Sequence, residues 1–241
     1  MVEPYYEDEL TMIYHGDALE ILHALGGIQV DTVVTDPPYS SGTRQVTDRK
    51  PSAIPKRGER WSRAGIVWDS SYSSFGISQL MNHTLRALKR VTEPGAHIYV
   101  FSDWRTFPTL TLSVEWAGLF TNNLLVWDNG VYALGTNYRS QHELILFASN
   151  GPLRELPQHD VGNVFKFKRV SGGSHPTEKP VGLISLLLSA AGASVVLDPF
   201  AGSGTMLVAA KESGRKAIGI EIEERYCEIA ANRLSQEVLA V

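Results

Sequence analysis

Residues 196–210 read VLDPFAGSGTMLVAA: an apolar run that stops at an acid and a proline, a turn with glycines at 202 and 204, and a helical pattern. Such a strand–turn–helix unit predicts a ligand site. Gly202 and Gly204 let the backbone approach a bound molecule closely, and the helix that begins near Thr205 offers unpaired amides. A dinucleotide fingerprint would place a third glycine at 207, where this chain has Leu207. Pyrophosphate is therefore disfavoured, and a nucleoside without phosphate fits better. The next strand, KAIGIEI at 216–222, brings Glu221 to its end, where a carboxylate can hold both ribose hydroxyls. The plain alternative is a solvated acid opening the next helix.

Outward from this unit, strands and helices alternate. Strand-like runs lie at 11–14, 31–35, 96–101, 124–127, 143–148, 194–198 and 216–221, and helix-like runs at 17–25, 78–91, 107–116, 180–191, 205–213 and 223–234. This order predicts an α/β fold with a mostly parallel sheet and helices on both faces. The 241 residues, 43% hydrophobic, suffice for the core of a single domain over 1–241, with 150–174 as a small bridging or recognition segment. The single Cys227 excludes an internal disulfide and a cysteine-rich zinc site, and the seven histidines show no ligand spacing, so no metal is expected. The start, MVEPYYEDEL, lacks a basic and apolar signal, which points to an intracellular, cytoplasmic protein. The longest uncharged stretch, 181–197, contains Ser185, Ser189, Gly192 and Ser194 and reads as a helix running into a strand rather than a membrane span.

Residues 35–40, TDPPYS, end the apolar run VDTVV. Two prolines fix φ and withhold two amide donors, so the strand cannot continue. In an open parallel sheet ligands bind beyond the carboxyl ends of strands. There the Asp36 carboxylate and the Pro37 carbonyl form two adjacent acceptors beside one aromatic face; an ordinary turn is the other reading. A formal net charge of −4 hides an uneven distribution: Arg44, Arg49, Lys50, Lys56, Arg57, Arg60 and Arg63 against Asp48 and Glu59 make 44–63 +5, and the remainder −9. Within 40–75 this is either a mobile loop able to close over a polyanion or a solvated linker. FKFKR at 165–169 is a second basic and aromatic candidate, or else an edge strand with its charges outward.

DPPY at 36–39, HPTEKPVGLI at 175–184, and DPFAGSGT at 198–205 followed by GIEI, a tyrosine and RL, taken in this order, resemble the amino-methylating (N6-adenine or N4-cytosine) DNA methyltransferases, in the permuted class whose catalytic motif precedes the cofactor motif. The resemblance spans nearly the whole chain and weakens at 44–63 and 151–169. It implies a Rossmann-like, S-adenosylmethionine-dependent fold with a twisted sheet of about seven strands, the last two antiparallel. It places the methionyl part of S-adenosylmethionine near Asp198, Phe200 and Gly202, with Gly204 and Thr205 in the same turn, and the ribose on Glu221. Asp17 would face the adenine or simply cap a helix, and Lys179 would meet the cofactor carboxylate or lie on the surface. Ser203 and Thr205 are also candidates for capping the helix after the turn.

The implied chemistry accounts for TDPPYS. The lone pair of an exocyclic amine is delocalised into its ring, so Asp36 and the Pro37 carbonyl, accepting both amine hydrogens, would aim it at the sulfonium methyl. Pro38 would hold the turn and Tyr39 the flipped base, which a duplex must first release. Double-stranded DNA is then the partner, and a homodimer is a state some relatives adopt. An Asp at the first position points to adenine N6; cytosine N4 is the alternative, and an inactive protein that binds cofactor and nucleic acid a second.

Overall fold

A computed structural model describes residues 2–38, 45–46, 66–67, 74–132, 138–170 and 178–236. Along the chain it forms β1 (Tyr6–Glu7), β2 (Thr11–His15), α1 (Ala18–Ala24), β3 (Val30–Thr35), β4 (Gln45–Val46), β5 (Ile66–Val67), α2 (Ser74–Val91), β6 (Thr92–Ser102), α3 (Phe107–Trp116), β7 (Phe120–Asp128), β8 (His142–Ser149), β9 (Val164–Lys166), α4 (Val181–Ala191), β10 (Val195–Asp198), α5 (Thr205–Glu212), β11 (Lys216–Glu221) and α6 (Glu224–Ser235). The α/β class follows the sequence expectation. All thirteen expected runs are present, with ends displaced by a few residues, the largest shifts being at the starts of α2, β6 and β7.

Nine strands form one sheet in the order β1-β2-β11-β10-β3-β6-β8-β7-β9, and β4 pairs with β5 in a separate two-stranded ribbon. Seven strands of the large sheet have four residues or more, and the short β1 and β9 lengthen its edges. Strands β2, β11, β10, β3 and β6 are mutually parallel. The two runs expected to be antiparallel, β7 and β8, do pair that way, and β8 is also antiparallel to β6. Among the long strands described, only β8 is therefore reversed, inserted between two that share a direction. FKFKR takes its edge-strand form in part: Phe165 of β9 is buried, Lys166, Lys168 and Arg169 are exposed, and the Trp127 indole nitrogen donates to the Phe167 carbonyl at 2.8 Å.

Burial on both faces explains why β3 reads as VDTVVT with no polar side facing water: every one of its residues is buried. The alternation of side chains divides the core in two. Val34, Tyr99, Phe101, Ile145 and Val196 join α4, α5 and α6 on one face, and Val33, Ile98, Val100, Leu146 and Leu197 join α1, α2 and α3 on the other.

This division places the site. From β3 the chain leaves toward α2, on one face; from the adjacent β10 it leaves to α5, on the opposite face. The two strand ends diverge and open a crevice at the switch point of the sheet.

The central β3–β10 register, Val196 with Thr32 and Leu197 with Val33, is secured at the opposite end of the strands by Asp31. Its buried carboxylate accepts from the Ser194 amide at 2.9 Å, the Val195 amide at 3.1 Å and the Thr32 hydroxyl at 2.8 Å. Asp31→Ala would leave buried donors unpaired and is expected to cost about 2 kcal/mol of stability. Denaturant unfolding of the variant against the parent measures the difference.

Candidate active site

The crevice is walled by the carboxyl ends of β3, β10 and β11. Asp198 closes β10; its buried carboxylate accepts the Thr35 hydroxyl at 2.7 Å and the Phe200 amide at 3.0 Å. Thr35 is the last residue of β3, so this bond stitches the two diverging strands together immediately before Asp36. Burial pushes the Asp198 carboxyl up to about 7, the two hydrogen bonds oppose that rise, and the charges of Asp36 and Glu221 add to it.

The turn after Asp198 treats its two glycines differently. Gly202 has φ +52°, and a Cβ there would find no atom of the described residues within 4 Å, so its surface faces open space. Gly204 has φ +80°, and a Cβ would stand 2.7 Å from the Ala230 Cβ of α6. Gly202 is thus the position where a ligand can approach the backbone, whereas Gly204 is bare so that α6 can pack. Glu221, ending β11, accepts the Gly202 amide at 2.8 Å through Oε2 and the Glu223 amide at 2.8 Å through Oε1. Phe200 is half-buried at the base of the turn.

The expectation that Ser203 or Thr205 caps α5 is corrected. The N-cap residue is Gly204, with no side-chain bond to the helix. Both hydroxyls turn to Arg233 of α6, whose guanidinium donates to the Ser203 carbonyl at 2.8 Å, the Ser203 hydroxyl at 3.2 Å and the Thr205 hydroxyl at 3.3 Å, and pairs with Glu178 at 2.8 Å. Asp17 is a helix cap: its carboxylate accepts the Leu19 amide at 2.8 Å and the Glu20 amide at 3.2 Å. It also stands beside the crevice, since the neighbouring Gly16 amide donates to the Glu221 carbonyl at 2.9 Å.

Lys179 is buried beside Asp36. It is no surface lysine, being 6% exposed, and its ammonium is held by protein carboxylates: it pairs with Asp36 and lies 3.2 Å from Glu143 Oε2. The ring of Phe101 faces the ammonium at 5.2 Å. Burial would lower the pKa of Lys179, but the two carboxylates outweigh it and hold the group above the ordinary lysine value. Arg169 pairs with the other oxygen of Glu143 at 3.2 Å. Asp36 is partly exposed at the mouth of the crevice, Pro37 is buried and Pro38 half-buried. Tyr39 and the basic residues Arg44, Arg49, Lys50, Lys56, Arg57, Arg60 and Arg63 lie outside the described residues.

These ends carry an amine-sized acceptor, Asp36, next to a glycine turn and an acid suited to a nucleoside. The family model of the N6/N4 DNA methylases matches residues 30–232. The chain belongs to that family. The DNA adenine methyltransferase YhdJ of Escherichia coli (strain K12) is 28% identical over 269 residues, covering 95% of this chain and 84% of its own. In fold the chain is similar to the M1.HpyAVI–SAM complex, with a TM-score of 0.70 at 23% identity, covering 94% of this chain and 100% of the other. It is likewise similar in fold to the cytosine-N4-specific PvuII DNA methyltransferase, with a TM-score of 0.76 at 16% identity, covering 99% and 91%.

A family member's methyl donor is S-adenosylmethionine, and the crevice fits it. Open space at Gly202 admits the molecule against the backbone. Each Glu221 oxygen accepts an amide and keeps capacity for a hydroxyl. Sequence reading missed Glu143 and Arg233. Glu143 sits inside the strand pattern HELILFA, and Arg233 inside an amphipathic helix; each gains its role only when distant segments meet.

Asp198 provides a pH test. Its folded value of about 7 lies above the ordinary 3.8, so between those values the folded state keeps a proton that the unfolded state has released. Its stabilising contribution is complete below about pH 4 and is lost as pH rises through 7. Asp198→Asn, whose amide oxygen can still accept from Thr35 and Phe200, is expected to reduce the fall in stability from pH 5 to 7 by about 1 kcal/mol or more. Thermal or denaturant unfolding of both proteins across that range measures it.

Proposed function

We propose that this DNA methyltransferase moves a methyl group from S-adenosylmethionine to N6 of an adenine flipped out of double-stranded DNA. The observation that carries the reading is Asp36 at the mouth of the crevice, fixed by the Thr35–Asp198 bond to the same strand end that bears the glycine turn. Support for adenine comes from the Asp at the head of DPPY and from the 28% identity to an adenine methyltransferase over most of both chains. Cytosine N4 is the alternative product. Both bases present an amine beside a ring nitrogen, so the acceptor pair alone accommodates either.

The cofactor, when bound, supplies an activated methyl on sulfonium. Glu221 would hold its ribose, Asp198, Phe200 and Gly202 would line its methionyl part, and Asp17 would face its adenine. The chain's task is to prepare the amine. Asp36 Oδ and the Pro37 carbonyl accept its two hydrogens, withdraw the nitrogen lone pair from the ring and hold it in line with the methyl. As the N–C bond forms and the donor's S–C bond breaks, its electron pair staying on sulfur as a neutral thioether, positive charge moves to that nitrogen and meets acceptors already in place. The methylated amine then releases one proton toward Asp36. Tyr39 offers a face for stacking the base.

Asp36→Ala is expected to retain cofactor binding and to lose methyl transfer by at least ~10²-fold, the scale for one preorganised charge-stabilising group. Calorimetric titration and turnover on one preparation, with labelled methyl and nucleoside analysis of the DNA, supply the readout. Near-parent turnover removes Asp36 from the mechanism, and label only on cytosine removes adenine.

The basic segment 44–63 is the proposed grip on the phosphates, supported by its local +5 charge in a chain of net −4. Neutralising Arg57, Arg60 and Arg63 together is expected to weaken DNA binding at low salt and to flatten its salt dependence by roughly 0.9 for each phosphate left unneutralised, with cofactor affinity unchanged. A salt titration of DNA affinity in which parent and variant have equal slopes would reduce the segment to a linker.

A further inference from the structure

We propose that Glu143 is a positioning residue for methyl transfer, acting through Lys179: it keeps the buried ammonium paired when Asp36 turns its carboxylate to the target amine. The inference rests on the reading of Asp36 as amine acceptor.

The geometry sets up a competition. Lys179 is 6% exposed and lies between Asp36, whose side chain is 28% exposed, and Glu143, at 14%. A buried ammonium left without an anion is strongly disfavoured. With Asp36 as its only carboxylate partner, Lys179 would hold that group and oppose its engagement with a substrate. Glu143 removes the conflict because its Oε2 already stands 3.2 Å from the ammonium. Its place is also the firmer of the two. Glu143 belongs to β8, in register with Trp127 of β7, and Arg169 engages its Oε1 at 3.2 Å, whereas Asp36 lies beyond the end of β3.

Charge points the same way. Asp36 and Lys179 alone form a neutral pair, which offers little to a nitrogen gaining positive charge. Asp36, Lys179 and Glu143 together carry −1, buried deep enough to be felt. Arg169 offsets this only weakly, since its side chain is 51% exposed and its charge is screened. Glu143 therefore allows Lys179 to orient Asp36 without cancelling it.

Glu143→Gln keeps the shape and an acceptor oxygen but removes the charge. The expected result is a fall in kcat of roughly 10- to 100-fold, below or at the low end of the ~10²–10³ scale of a direct charge-stabilising contact, with cofactor Kd and DNA affinity within about 2-fold of the parent. Glu143→Asp should recover part of the loss. In a Lys179→Met background, Glu143→Gln should cause no further fall, because the effect passes through the ammonium. A merely structural role would instead lower the melting temperature and subtract from activity in both backgrounds. Unchanged kcat in Glu143→Gln, an equal loss of cofactor affinity, or additive losses with Lys179→Met each overturn the inference. Asp36→Asn, assayed alongside, separates the two claims. If it turns over normally, the reading of Asp36 falls and takes the inference with it; if it is inactive while Glu143→Gln is normal, only the Glu143 inference falls.

Discussion

Parallel pairing of β3 with β10 is the constraint on which the site depends. The two strands lie about 160 residues apart in sequence, and their backbone register decides that Thr35 meets Asp198 and not a neighbour. A slip of one residue would exchange the faces of every side chain on β10 and send Asp198 to the wrong side of the sheet. Asp31 at one end and the Thr35–Asp198 bond at the other hold that register from both ends. Everything else in the crevice is hung from these two strands: DPPY from one, the glycine turn from the other, and Glu221 from the strand beside it.

The polar groups around the crevice are unbalanced in charge. Asp36 and Glu143 share the buried Lys179 ammonium, while Asp198 and Glu221, on the adjacent strand ends, are held by amide and hydroxyl donors. Burial first, and then the charges of Asp36 and Glu221, raise the Asp198 carboxyl, and this concentration of acids would disfavour an anionic ligand. It suits a donor that carries a sulfonium and an ammonium, and a reaction in which positive charge appears on nitrogen. The polyanionic DNA must then be gripped elsewhere, which is consistent with a basic segment separate in sequence from these acids.

Much of this was legible in the sequence because it depends on local pattern. The alternation of apolar runs revealed the α/β class, and α3 and β11 were read to the residue. Asp198, Gly202 and Glu221 could be placed because a strand–turn–helix unit makes its own geometry. Short elements were not legible: β1 and β9 have two and three residues, too few for a period, and take shape by pairing with β2 and β7. The antiparallel pairing of β7 and β8 was anticipated, but that β8 rather than β7 is the reversed strand was not, since parallel and antiparallel runs buried on both faces look alike. Lys179 exposes the deeper limit. Its neighbours Glu178 and Pro180 say nothing of Asp36 or Glu143, which lie 143 and 36 residues earlier, so burial and charge pairing reversed the plain expectation of a solvated lysine. Gly204 shows the same limit in backbone terms, because a glycine that admits a ligand and one that admits a helix are the same letter in a sequence.

The packing of α6 on the glycine turn bears on how the protein is made. Arg233 ties Ser203, Thr205 and Glu178 into one unit, and Ala230 fills the space that Gly204 leaves open. Both come from a helix synthesised after every other part of the crevice. A growing chain on the ribosome can therefore assemble β3, β6 and the helices of one face while its cofactor turn still lacks its outer support. The methyl-donor pocket would be complete only once α6 has been made, and a chain still lacking that helix would have little means of capturing cofactor.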